Sequence, residues 1–197
     1  MQVIPVKTRI ILPEDDFIDV LLNAIDESGL ELKNNDILGI AETPLGTTEG
    51  RIVSLSEIEP SEEAKKLAMK YELLPEIAEL VIEEADDILG GIPHVVLTIK
   101  NNTLMANAGV DKSNAPPGHA SLLPLNPRAS ADRLRNEIKS RLGITIGVII
   151  IDSRTQPLRL GNIGMALGVS GFCPVADERE QKDLVWECYA HHAKSYR

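Results

Sequence analysis

The run Gly147-Val-Ile-Ile-Ile-Asp152 decides the fold class. Its four consecutive apolar residues, bounded by Gly147 and Asp152, make residues 144–151 the most strand-like segment of the chain: short, continuous and β-branched. Just upstream, residues 130–142 put Leu134, Ile138 and Leu142 on one inward helical stripe, and Gly143 supplies the stop. Downstream, a glycine-punctuated loop at 153–161 leads into a second extended run, 163–170. Further out, residues 95–100 and 103–106 form a hairpin through Asn101-Asn102, since Asn tolerates positive φ. Between them and the hairpin, residues 107–127 are polar, Pro-rich and without periodicity, the kind of long loop that carries function.

The amino-terminal half alternates less regularly. Residues 2–6 read as a strand. Residues 15–28 read as a helix with Phe17, Val20, Leu21, Ala24 and Ile25 on one face, closed by Gly29. Residues 36–41 read as a buried strand and 43–51 as a Thr- and Gly-dense loop. One helix starts at Pro60, with Glu62 and Glu63 in its first turn. Another spans 75–89, with Ile77, Leu80, Val81, Ala85 and Ile88 aligned and Gly90-Gly91 as its end. No fixed-period repeat or low-complexity linker occurs. The expectation is an α+β (mixed α/β) fold of intertwined sheets and helices.

Composition narrows the function. With 197 residues and 43% hydrophobic content, the chain can bury a sizeable core. Its longest apolar run is four residues, far short of a membrane span, and no signal peptide is visible. Cys173 and Cys188 lack Cys-x-x-Cys spacing, which fits a reducing, cytoplasmic setting. The net charge of −10 is uneven: residues 1–100 carry 21 acidic against 8 basic side chains, and residues 101–197 carry 9 against 12. So acidic a chain argues against nucleic-acid binding, and any phosphorylated ligand needs arginines from the second half or a bound cation.

Familiar catalytic and phosphate motifs are absent, and His94 and His119 stand alone. Two carboxylates remain. Asp111 lies in Asn107-Ala-Gly-Val-Asp-Lys-Ser-Asn114, just after the hairpin, and Asp152 ends the strand with the Ser153 hydroxyl beside it. Hard divalent cations that carry nucleotide phosphates take one or two carboxylates plus hydroxyl and phosphate oxygens. An Asp at a strand's carboxyl end points into the crevice where α/β sheets bind ligands. Both residues also suit plain turn aspartates, so spacing alone leaves two readings open.

Six segments in register go further. Glu49-Gly-Arg51, Glu59-Pro-Ser-Glu-Glu-Ala64, Asn107 to Asn114, Leu122-Leu-Pro-Leu-Asn-Pro-Arg-Ala-Ser-Ala131, Gly147 to Asp152 and Gly164-Met-Ala-Leu-Gly-Val-Ser-Gly171 together resemble the coenzyme F-420-0:L-glutamate ligase family. The resemblance covers residues 2–184. It implies a GTP-dependent ligase that joins L-glutamate by γ-linkages to the lactyl carboxylate of F-420-0 through an acyl phosphate, working as a homodimer with Mg²⁺ or Mn²⁺ and with K⁺ as a further candidate ion. By position it implies that Asp111, Asp152 and Ser153 hold the metal. It also implies that Lys7, Thr8, Arg9, Ile10, Glu42, Thr43, Thr47 and Asn114 contact GTP, with Arg154 and Arg159 as candidate phosphate contacts.

Three departures qualify the resemblance. Thr47 stands where many members have a Lys near the nucleotide, and a hydroxyl cannot replace an ammonium's charge. Leu160 stands where a second loop Arg is expected, for which Arg154 is a candidate substitute. The resemblance also breaks off inside residues 181–184, where family chains continue. Residues 185–197 hold the only Trp, two of three Tyr and two of four His. Codons compatible with that tail, read one nucleotide later, permit Gly-Asn-Ala-Met-Arg-Ile-Thr, similar to the family's continuation. The expectation is an out-of-frame tail, with a genuine aromatic terminal helix as the alternative. An altered-substrate ligase or an inactive nucleotide-binding subunit of the same fold are the competing functions.

Overall fold

The computed structural model describes residues 2–155, 158–179 and 182, and the backbone of Ala193–Ser195. In chain order the elements are α1 (Phe17–Glu27), β1 (Ile37–Ala41), α2 (Glu42–Thr48), β2 (Ile52–Ser54), α3 (Glu62–Tyr71), α4 (Pro75–Glu84), β3 (Asp87–Ile92), β4 (Val95–Lys100), β5 (Thr103–Ala106), β6 (His119–Ser121), α5 (Pro127–Leu142), β7 (Gly147–Arg154), β8 (Ile163–Ser170), β9 (Val175–Asp177) and β10 (Ala193–Ser195). The fold is α+β, as expected. β1, β7 and β8 form one sheet, β3-β4-β5 a meander, and β2 with β6 and β9 with β10 two small ladders. The question of an out-of-frame tail falls outside the described residues, apart from the β10 backbone.

β7 is the centre of its sheet. It pairs parallel with β1, from Ile37 opposite Gly147 to Ala41 opposite Ile151, and antiparallel with β8. Its core face carries Val148 and Ile150, both fully buried, against the fully buried Leu134 and Ile138 of α5 and Ile18 and Leu21 of α1. Helix α5 is set by its ends: the Asn126 side chain accepts from the Ala129 N–H, Pro127 opens the first turn, and Gly143 closes it at φ +70°. A second core joins Tyr71, Ile77, Leu80 and Val81 to Val96 and Leu122.

Five sequence expectations are corrected. Residues 2–6 form no strand: the segment is mostly exposed, with Val3 at 80%, and extended backbone without a partner gains no ladder. Residues 43–51 are not all loop, because α2 forms there. Leu45, wholly buried, anchors that helix, and Gly46 lets the Leu122 carbonyl approach to 3.0 Å from where a Cβ would sit. Tertiary packing outweighs the poor helix propensity of Thr and Gly. The helix at 75–89 stops at Glu84, and residues 87–92 become β3, pairing with β4 around a bulge between Ile88 and Gly90. Leu142 is 47% exposed rather than inward. The 107–127 stretch is partly ordered too, by a 3₁₀ turn at Asn107–Gly109 and by β6. The hairpin turn is as read, with Asn101 at φ +50° and Asn102 at φ +57°.

Gly168 lets α5 start directly over β8: a Cβ there would lie 2.4 Å from the Pro127 backbone. Gly168→Ala therefore forces backbone apart and is expected to destabilise the protein by about 1–3 kcal/mol, as overpacking does. Leu134→Ala should cost about 2–5 kcal/mol through the cavity it leaves. Urea unfolding checks both, as a lower midpoint at unchanged slope.

Candidate functional site

The alternation that buries the core also builds the site. On β1, Leu38 and Ile40 face inward, and Glu42 follows two residues on as the first residue of α2. On β7, Val148 and Ile150 face inward, and Asp152 and Arg154 continue that face. Because the strands are parallel, both carboxyl ends open on the same side, and Glu42 and Asp152 meet there. Both are half-buried. Burial is the main reason that the Asp152 carboxyl titrates above its ordinary value; Arg154 opposes the rise, and the negative charge of Asp111 adds to it. Burial likewise raises Glu42, opposed by a 2.6 Å hydrogen bond from Thr43 Oγ1 and reinforced by Asp152.

Asp111 reaches the same region from another element. Its N–H donates to the Ser121 carbonyl at 3.0 Å and its carbonyl accepts from Ser121 N–H at 2.7 Å, tying it to the end of β6. Its exposed carboxylate accepts from Ser113 N–H at 3.0 Å and from the Ser113 hydroxyl. Ser153 is exposed on the opposite face of β7 from Asp152, and Asn114 is exposed in a turn at φ +61°. Thr47 is buried, and its hydroxyl hydrogen is donated to the Thr43 carbonyl at 2.9 Å.

The amino-terminal residues stand apart. Lys7 and Ile10 are exposed and Thr8 half-buried, while Arg9 pairs with both Asp15 oxygens at 2.6 Å and holds that carboxyl down to about 2. Among the described residues no side-chain hydrogen bond joins 7–10 to Asp111 or Asp152. Arg159 is exposed on the glycine-punctuated loop. Arg154, by contrast, is buried, with Nε 2.9 Å from Asp152 Oδ2 and Nη1 donating to the Leu104 carbonyl at 3.1 Å.

Sequence reading missed a second charged network. Arg51 Nη2 lies 2.7 Å from Glu84, which also pairs with Lys100, and Arg51 Nε donates to the Leu123 carbonyl at 2.8 Å. Glu49 accepts from Ser130 Oγ at 2.7 Å and from Arg133 at 2.8 Å. These partners lie tens of residues apart, and no spacing announces them. A cavity of about 300 Å³ opens between β5, the start of α5 and β8; Lys100, Asn101, Met105, Asn126, Arg128 and Leu167 are among its walls, and no carboxylate lines it among the described residues.

The donor chemistry suits a hard divalent cation: carboxylate and hydroxyl oxygens, with Asp111 close enough to raise Asp152 and Asp152 close enough to raise Glu42. The described residues contain no preformed group of three or more His, Cys, Asp or Glu placed to grip one.

Fold and site thus define an α+β protein with a half-buried acidic cluster at the carboxyl ends of a parallel strand pair. The family model for F420-0:Gamma-glutamyl ligase matches residues 5–190. A coenzyme F420:L-glutamate ligase of Methanopyrus kandleri is 41% identical over 177 residues, covering 89% of this chain and 68% of that protein. Enzymes of the same name from Methanothermobacter thermautotrophicus (36% identity; 86% and 68% covered) and Archaeoglobus fulgidus (34%; 93% and 72%) are also similar. The chain belongs to the F420-0:gamma-glutamyl ligase family.

The raised Glu42 carboxyl carries a stability consequence. The native state penalises its charge, so the penalty is absent below the ordinary value of 4.5 and complete above the raised one. Glu42→Gln should therefore raise the melting temperature of the metal-free protein at pH 7, with the gain closing as pH falls to 4.5. Thermal unfolding against pH checks this.

Proposed function

We propose that the chain catalyses GTP-dependent ligation of L-glutamate, through its amine, to the lactyl carboxylate of F-420-0, with any further glutamate γ-linked to the first, as a cytoplasmic homodimer. Family membership supports the amide-forming reaction. The single structural observation that favours metal-assisted phosphoryl transfer is the convergence of Asp152, Glu42 and Asp111 at one sheet end. No helix among the described residues is long and apolar enough to cross a membrane.

Asp111 and Asp152 are the residues assigned to Mg²⁺ or Mn²⁺; the Ser153 hydroxyl, on the other face of β7, joins them only if the end of the strand turns it toward Asp152. When bound, the ion neutralises phosphate charge and orients the transferring group. The Glu42–Thr43 start of α2, Thr47, Asn114 and the segment Lys7, Thr8, Arg9 and Ile10 are assigned to GTP, and exposed Arg159 to its phosphates. The lactyl carboxylate attacks the γ-phosphorus, its oxygen forming the new P–O bond as GDP leaves. Glutamate's amine then attacks the acyl carbon, loses a proton, and expels inorganic phosphate. The cavity between β5, α5 and β8, with Lys100 and Arg128 on its walls, is the assigned room for the acceptor.

A second reading has its own observation. The Thr47 hydroxyl hydrogen is already spent inside α2, which favours altered phosphate contacts and leaves a different acceptor or an inactive nucleotide-binding subunit in play.

Incubation with F-420-0, glutamate, GTP and Mg²⁺ or Mn²⁺ should yield a product heavier by one glutamyl residue, with GDP and phosphate. Asp111→Asn and Asp152→Asn should each slow it by about 100-fold or more and weaken nucleotide binding in the presence of metal, in line with losses at metal sites. No mass gain in the wild type would overturn the reading, and unchanged nucleotide affinity in both variants would favour the binding subunit.

A further inference from the structure

Arg154 places a full positive charge inside the acidic cluster. Its side chain is 5% exposed, and Asp152 and Arg154 share a strand face because they are two residues apart on β7. Nε sits 2.9 Å from Asp152 Oδ2, yet its N–H is not aimed at that oxygen. Nε and Nη2 are both buried without a hydrogen-bond partner among the described residues, while Nη1 is taken by the Leu104 carbonyl. Guanidinium donors are rarely left buried and unmade, because each loses its water for nothing. Here they lie beside the carboxylate that a metal ion would need.

The same oxygen cannot serve both cations at full strength. A divalent ion on Asp152 would meet the guanidinium at close range, and the repulsion is strong where water is scarce. An anion arriving with the metal changes this, since phosphate oxygens are the acceptors that the unpaired N–H groups lack, in a planar geometry suited to them.

We propose that Arg154 is a positioning residue that stands in for the metal at Asp152 and releases that carboxylate only when a polyphosphate takes over its unpaired donors. Metal and nucleotide binding are then coupled through one side chain: each is weak alone, and each strengthens the other by the same factor. The idea rests on the metal assignment above, but it concerns the order of loading rather than the reaction.

The test is Mn²⁺ binding to the whole chain, followed by the electron paramagnetic resonance signal of free Mn²⁺, with and without GDP. Wild type should bind Mn²⁺ weakly alone and about ten-fold or more tightly with saturating GDP, after correction for Mn²⁺ chelated by GDP itself, within the usual range of such couplings. Arg154→Met should bind Mn²⁺ alone about ten-fold tighter than wild type and lose most of the GDP effect. A merely structural arginine would give no gain in metal affinity on removal. Arg154→Gln, which keeps polar donors but drops the charge, gives the same readout if the Met variant folds poorly. Equal Mn²⁺ affinity in wild type and variants, with binding still lost in Asp152→Asn, would overturn the role of Arg154 and leave the metal assignment standing. No Mn²⁺ binding to any of these proteins, with or without GDP, would overturn both.

Discussion

The parallel pairing of β1 with β7 is the constraint on which the rest depends. It brings together segments 110 residues apart, from Ile37 opposite Gly147 to Ala41 opposite Ile151, and its register fixes which side chains face the core. On each strand an apolar pair, Leu38 with Ile40 and Val148 with Ile150, is followed at the next inward position by a charged residue. A strand cannot turn its side chains away from the face it has chosen. The periodicity that stabilises the sheet therefore also drives Glu42, Asp152 and Arg154 out of water at its end. A functional cluster and a hydrophobic core are here two stretches of one face.

Much of what resembles the ligase family is scaffold. Glu49 and Ser130, from two different matching segments, are bonded to each other, and Arg51 is committed to Glu84 and the Leu123 carbonyl. Asn107 accepts from the Val96 N–H at 2.7 Å with its own backbone at φ +49°, and Thr98 holds the following turn through Ala108 N–H. These contacts satisfy backbone and charge in places where a loop would otherwise bury them unmade. Among the described residues none of these contacts involves the side chain of Asp111 or Asp152.

Legibility followed the range of the forces involved. Helices α1, α3 and α5 and strands β1, β4, β5, β7 and β8 were readable because caps, periodicity and turn residues act over a few positions. Helix α2 was not, since it depends on Leu45 buried in the core of α1, β1, α5 and β7 and on Gly46 closing against the distant 122–124 segment. β3 was hidden because Ile88 and Leu89 continue a helical spacing, and only pairing with β4 selects the strand. Asp111 and Asp152 could be singled out by position, although choosing between ligand and turn needed the family resemblance. The burial of Arg154 against Asp152 could not be foreseen from their two-residue spacing, because which face of β7 is covered depends on α1 and α5.

The most direct measurement follows an oxygen atom. F-420-0 carrying ¹⁸O in its lactyl carboxylate would be ligated to glutamate with GTP and Mn²⁺, and the released inorganic phosphate examined by mass spectrometry. Phosphoryl transfer to that carboxylate leaves one ¹⁸O in the phosphate, and we expect to find it there in step with product. Ligated product accompanied by unlabelled phosphate would contradict the acyl phosphate, and with it the role given to the acidic cluster.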